Sequence, residues 1–316
     1  MRLTALGKVA CRVNDLILRI ISGIIGIIIA AFIIQLGSLP FAVTTIIISL
    51  IGWDEFSDIL GKKGIDTTLI LGAVVLILMQ CCAWLGNFEE LLAVLTIGML
   101  LIFLLTVVLY GTVRPVDASA SIGGILYIGL PFSHLIFLRF FDDEKIAAPA
   151  DAVSSLFSFH LPVINLDIGG ALTGLLNLQF DVGTALIWLL FIGTWASDTF
   201  AFFVGTAIGS HKLASSISPK KTVEGFLGSM VGTTAVMALV GHFLFSFPMT
   251  EMLILGFLMS IVATLGDLVE SSLKRFGGMK DSGIFLPGHG GVLDRFDSIL
   301  FTAPFFYYFV VIMGIV

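Results

Sequence analysis

Charged side chains are scarce in this sequence. Asp, Glu, Lys and Arg make up 12% of its 316 residues, about half the roughly 25% of an ordinary soluble domain. A soluble globular fold is therefore excluded, and without a basic patch nucleic acid binding has no electrostatic footing. Cysteine is also rare. Cys11, Cys81 and Cys82 are odd in number, two of them adjacent in an apolar run, and no CxxC or Cys/His spacing occurs. That leaves neither a disulfide framework nor a thiolate metal site, and the three read as small apolar residues. GxxxxGK[ST], GxGxxG and HExxH are all missing, which argues against a P-loop pump, a dinucleotide enzyme and a zinc protease.

What the chain has in abundance is hydrocarbon: 58% of residues are hydrophobic and the mean hydropathy is +1.09. Apolar runs centred on residues 16–37, 40–53, 68–86, 91–110, 120–138, 182–207, 225–246, 251–270 and 297–316 predict an all-α, polytopic integral membrane protein of about nine spans, since a crossing helix needs about 20 apolar residues. The second run is short, either half of a re-entrant hairpin or a tilted helix extending into Glu55 and Phe56. The first run is too long for a signal-peptide core and lacks a clear cleavage site, so it reads as a retained helix.

The placement of positive charge supports that count, whereas the formal net charge of −6 says little about partners. With the N-terminus in the cytoplasm, the inside segments and helix ends take every one of the 16 basic residues except Arg139 and Lys145. In sequence order, residues 1–138 form N-terminal spans and 182–316 a C-terminal region. Between them, 139–181 is an extracytoplasmic loop with an interfacial piece, containing Asp142, Asp143, Glu144, Pro149 and Pro162.

Ionisable residues beside or within spans are costly and mark polar cavities. In "WASDTFAFFVG", Asp198 stands in an otherwise apolar helix, where it either bonds a neighbouring helix or lines a substrate cavity. In "SPKKTVEG", Ser218 and Pro219 predict a turn, and Thr222 and Glu224 a helix start whose free N–H groups suit phosphate. Lys220 and Lys221 are then either topology markers or a grip on polyphosphate.

The richest stretch is "GDLVESSLKRFGGMKDSGIFLPGHGGVLDRFD", residues 266–297. Asp267, Ser271, Lys274 and Arg275 recur at helical spacing and share one face. Gly283, Gly288, Gly290 and Gly291 let backbone approach a ligand closely. Hard divalent cations take oxygen ligands, a few carboxylates plus substrate phosphates, and Asp267 and Asp294, with Asp281 nearby, supply them if their helices pack together. Lys274, Arg275, Lys280 and Arg295 would neutralise phosphate oxygens. A solvated mixed-charge loop is the bland alternative, weakened by this density of cations, carboxylates, glycines and His289 at a membrane boundary.

The run S-x-L-K-R-x-x-x-x-K-D-x-G-x-x-L-P-x-H-G-G-V-x-D-R-F-D, Ser271 to Asp297, resembles the signature of the CDP-diacylglycerol synthases, or phosphatidate cytidylyltransferases. "WASDTFAFFVG" and "SPKKTVEG" are similar to family segments too, so the likeness covers about residues 180–300. It implies a membrane enzyme that joins CTP and phosphatidic acid into CDP-diacylglycerol and pyrophosphate, with Mg²⁺ and a monovalent cation such as K⁺, among membrane lipids and without nucleic acid. It also implies metal binding by Asp267 and Asp294. Lys274, Arg275, Lys280, Asp281, His289 and Arg295 match positions that would carry the chemistry, and Asp198, Lys220, Lys221, Ser271, Gly290 and Gly291 positions that would hold substrate. The expected setting is a bacterial inner membrane with the site facing the cytoplasm, the chain alone or as a homodimer. The competing readings are a CTP-dependent enzyme acting on an ether lipid or isoprenoid alcohol, and an ion-coupled transporter.

Overall fold

A computed structural model describes residues 23, 25–141, 158–161, 164–167, 181–283, 285 and 290–315. Among them the apolar runs become nine helices in the expected order. These are α1 (Ile25–Leu36), α2 (Ser38–Gly61), α3 (Leu69–Trp84), α4 (Phe88–Val108), α5 (Pro115–Arg139), α6 (Val182–Ile208), α7 (Val223–Leu244), α8 (Met249–Gly277) and α9 (Leu293–Met313). Seven are long and apolar enough to cross a bilayer, and α1 and α3 are shorter apolar helices. The second run is one continuous helix of 24 residues, so the re-entrant alternative falls. Two antiparallel hairpins complete the described elements: β1 (Ser158–Leu161) with β2 (Ile164–Asp167), and β3 (Lys212–Ala214) with β4 (Ser218–Thr222). Of the 139–181 stretch, the described residues are 139–141, this first hairpin and Asp181.

The helices group into two compact units. One comprises the chain up to Ser133 together with Val269–Asp297; the other comprises His134–Leu268 with Ser298–Val316. Compactness thus departs from sequence order: residues 269–297, grouped by sequence with the last spans, pack with the first helices.

In the first unit, Trp53 on α2 is almost fully buried and donates its indole N–H to the Leu69 carbonyl at 3.0 Å. Its ring lies where a Cβ on Gly72 would stand, 2.3 Å away, and where one on Gly124 would stand, 2.6 Å away. Bare glycine surfaces on α3 and α5 therefore let three backbones close on one indole, the small-residue packing that apolar surroundings favour. Buried Gln80 bonds Ser49 between α2 and α3. Asp117 joins the start of α5 to the α2–α3 turn by accepting from Asp66 N (3.1 Å) and Arg114 N (3.0 Å). The large side chains that α4 leaves exposed, among them Ile97, Leu100, Leu104 and Val107, suit hydrocarbon rather than water.

In the second unit, α6 and α7 pack most closely, because Gly228 and Gly232 lie against Val204 and Phe200 at distances that no Cβ would permit. Asp181 caps α6 through Thr184 N and takes Arg139, at the end of α5, in two contacts of 2.9 and 3.0 Å. Gly183 presses on the Arg139 carbonyl, 1.9 Å from where a Cβ would stand.

Candidate active site

The second unit contains a cavity of about 380 Å³ at the end of α6, with Ser197, Asp198, Thr206, Lys220, Lys221, Thr264 and Asp267 among its walls. Three elements converge there, each for a local reason. Asp198 comes from the middle of α6 and Asp267 from α8. The two lysines lie on β4, which leads straight into α7. Sequence reasoning put Ser218 and Pro219 in a turn; they begin strand β4, and the turn falls one step earlier, at 215–217. Proline is tolerated there because a two-stranded ribbon leaves its N–H side unpaired.

The helix start expected at Thr222 is present. Thr222 Oγ1 accepts from Gly225 N at 3.1 Å, an N-cap. Glu224, in the first turn, accepts from Ser210 N (3.1 Å) and His211 N (3.2 Å) and meets His211 Nδ1 at 2.6 Å. Both ends of the β3–β4 ribbon are thereby fixed, which holds Lys220 and Lys221 at the cavity wall. Lys221 Nζ pairs with Asp267 Oδ2 at 2.6 Å, both side chains partly exposed.

In the first unit the signature segment folds on a second set of charges. Lys274 Nζ lies 2.7 Å from Glu270 Oε2 and 2.6 Å from Asp294 Oδ1, with side-chain exposures of 13% for the lysine and 1% and 7% for its partners. Among the described residues neither oxygen of Glu270 has a directed hydrogen bond, so ion pairing with Lys274 is what holds that carboxylate. Asp294 Oδ2 accepts from Ser282 N (2.8 Å) and Gly291 N (2.9 Å), and Ser282 Oγ lies 3.1 Å from it. Of the glycines expected to approach a ligand closely, Gly283, Gly290 and Gly291 lie against the chain's own carboxylates, and Gly288 lies outside the described residues. Gly290, with φ +84°, would place a Cβ 2.5 Å from Asp294 Oδ2, and Gly291 would place one 2.4 Å from both oxygens of Glu55.

The structure thus brings Lys221 to Asp267 and Lys274 to Asp294, in separate units. Asp198, Lys220 and Lys221 share the cavity with Asp267. Ser271 is half-buried on α8, whereas Arg275, Lys280, Asp281 and Arg295 are exposed; Arg275 Nη1 donates to Met279 O at 3.1 Å. His289 lies outside the described residues. Sequence reasoning passed over Glu55, treated only as the possible end of a span, and gave Ser282 no role. The available signal was a carboxylate in an apolar run, since such a residue needs compensating donors.

The donor set fits a hard cation. In the first unit Asp294 presents one oxygen to Lys274, and in the second Asp267 presents one to Lys221, each at 2.6 Å, so each carboxylate stands in surroundings matched to positive charge. The cavity adds the Asp198 carboxylate and the hydroxyls of Thr206 and Thr264, all oxygen ligands of the kind Mg²⁺ takes. Among the described residues no group of three or more His, Cys, Asp or Glu side chains comes together as a metal cluster.

Membrane-length helices that frame a lysine- and carboxylate-lined cavity define an integral membrane protein with the charge pattern that phosphate chemistry requires. The chain belongs to the cytidylyltransferase family, whose model matches residues 17–313. It is 34% identical to a phosphatidate cytidylyltransferase of Synechocystis over 301 residues, 93% of this chain and 96% of that one. Its identity to the Bacillus subtilis protein of the same name is 30% over 303 residues, 93% and 97% of the two chains. Identity rises to 46% over 123 residues with the Staphylococcus saprophyticus phosphatidate cytidylyltransferase, covering 39% of this chain and 47% of that one.

Proposed function

We propose that this protein condenses CTP with phosphatidic acid to give CDP-diacylglycerol and pyrophosphate, at the cytoplasmic face of a bacterial inner membrane. The observation that carries the reading is the cavity in which Lys220 and Lys221 face Asp198 and Asp267. Lysines at a helix start suit a polyphosphate, and the carboxylates suit the cation that accompanies it. The full-length likeness to two phosphatidate cytidylyltransferases supports the same substrates over an isoprenoid alcohol or an ether lipid.

A phosphatidate oxygen forms the new bond to the α-phosphorus of CTP. The bond from that phosphorus to the bridging oxygen breaks, and its electron pair leaves with pyrophosphate. A phosphate monoester is already ionised near neutral pH, so no strong base is needed; the protein supplies position and charge. Lys220 and Lys221 hold the leaving phosphates; Lys274, which the resemblance matches to a position that carries chemistry, is tested by its own variant. Mg²⁺, held by Asp267 with Asp198 beside it, would supply charge neutralisation; Asp294, the second aspartate implied by the resemblance, is tested by its own variant. The acyl chains stay in hydrocarbon, which spares the cost of exposing them, about 0.8 kcal/mol per CH₂.

The test is Mg²⁺-dependent pyrophosphate release by purified protein. It should require both CTP and phosphatidic acid, and labelled CTP should yield a lipid carrying the whole CMP unit. Transfer of the terminal phosphate alone would make the protein a kinase, and solute uptake into liposomes without pyrophosphate would make it a carrier.

A further inference from the structure

Glu55 sits on α2, 227 residues before the nearest of its hydrogen-bond partners, and is 7% exposed. A carboxylate in a spanning helix is expensive unless donors surround it. Three do, all from the signature segment. Val292 N donates to Oε1 at 2.7 Å, and Leu293 N and Ser282 Oγ donate to Oε2 at 2.9 and 2.7 Å. The two amides belong to the start of α9, where N–H groups find no acceptor within the helix and negative charge is favoured. The carboxylate is wedged between both ends of the segment: a Cβ at Gly283 would lie 2.7 Å from Oε1, and one at Gly291 would lie 2.4 Å from each oxygen. Ser282 Oγ also reaches Asp294 Oδ2, so a chain of polar contacts runs from Glu55 through Ser282 to Asp294 and on to Lys274.

We propose that Glu55 is a positioning residue for the reaction: from α2 it fixes Ser282 and residues 290–293 and so sets where Asp294 and Lys274 stand. The assignment rests on the functional reading above. It explains why residues 269–297 pack with the first helices, and it gives a role to Ser282, which fills a position that the family-like pattern leaves open. Among the described residues, neither Glu55 nor its partners Ser282, Val292 and Leu293 line the lysine cavity. Its loss should therefore act on turnover and spare CTP affinity.

The experiment compares Glu55→Gln, Glu55→Asp and Ser282→Ala in detergent-purified full-length protein, by steady-state kinetics and peptide-level hydrogen exchange. Glu55→Gln turns an N–H donor toward Leu293 N or Ser282 Oγ. It should lower kcat about 30- to 300-fold, leave the KM for CTP within threefold, and speed exchange in peptides spanning 290–296 by tenfold or more, with α6 and α7 unchanged. Glu55→Asp keeps the charge but loses the reach, and should fall comparably. If Glu55→Gln does not fold, Ser282→Ala carries the test, with a 5- to 20-fold loss in kcat and the same local exchange. A kcat within threefold of wild type in these variants, a rescue by aspartate, or unchanged exchange at 290–296 overturns the proposal. Should the wild-type protein release no pyrophosphate from CTP and phosphatidic acid, the functional reading fails instead. Exchange at 290–296 then decides alone whether Glu55 positions the segment.

Discussion

Replacing Lys274 by methionine keeps the length of the side chain and removes its charge, leaving Glu270 and Asp294 buried around a vanished cation. Lys274 Nζ stands 2.7 and 2.6 Å from the two carboxylates, which are 1% and 7% exposed. At an effective dielectric of about 20, unit charges roughly 4 Å apart attract by about 4 kcal/mol, and here one cation serves two anions. Desolvation offsets much of that gain, yet removing one member of a buried pair still costs about 3–5 kcal/mol, because the remaining charge is uncompensated. At about 2 °C per kcal/mol for a chain of this size, Lys274→Met should lower the apparent Tm in detergent by about 6–10 °C.

The double variant Lys274→Met/Glu270→Gln removes one of the stranded carboxylates and should recover about half of that loss. Asp294 keeps its two backbone donors on Oδ2, so it tolerates the missing lysine better than Glu270 does. Turnover should not recover with stability, because the cation itself is gone: both variants should remain at least 100-fold below wild type. Thermal unfolding and CTP turnover on the same preparations read the two effects separately. If Lys274→Met melts within 2 °C of wild type, or the double variant is no more stable than the single, Lys274 does not compensate these carboxylates and the reasoning fails.

Lys220→Ala should raise the KM for CTP about 5- to 50-fold with kcat little changed, since the lysine lines the cavity and among the described residues leaves no ion-pair partner to strand; an unaltered KM would make it a topology marker. Asp294→Asn keeps one acceptor oxygen for Ser282 and Gly291 but turns an amide toward Lys274, so turnover at millimolar Mg²⁺ should fall more than 100-fold in protein that still folds. Full activity would remove Asp294 from the metal's surroundings. Gly183→Ala drives a methyl to 1.9 Å from the Arg139 carbonyl, a clash between two backbones, and should cost about 3 kcal/mol or more. The yield of folded protein and its melting temperature should fall, while the KM for CTP in the surviving fraction stays at the wild-type value.

The spans were legible because the bilayer reads sequence one segment at a time. A run of apolar residues long enough to cross predicts a helix whatever its neighbours do, and the nine runs match nine described helices, seven of them long and apolar enough to cross. The helix start at Thr222 was legible for a similar reason, as its capping bond spans three residues. The turn at Ser218 and Pro219 was misplaced because the β3–β4 pairing that extends them depends on residues 212–214 across the ribbon. Glu55 was missed because its donors lie more than 200 residues away, and no local pattern distinguishes it from Asp54 or Asp58 on the same helix.

By itself, then, the sequence determined that this chain lives in a membrane and which stretches carry its polar chemistry. Both follow from composition within short windows: hydrocarbon rewards continuous apolar length, and charges survive beside it only where something requires them. Which charges meet was decided by the fold alone. Lys221 faces Asp267, Lys274 reaches Asp294 beyond its own helical neighbour Glu270, and Glu55 holds Ser282 and the start of α9, because packing brings residues far apart in sequence within about 3 Å, and where water is excluded a carboxylate is stable only with donors or a cation beside it.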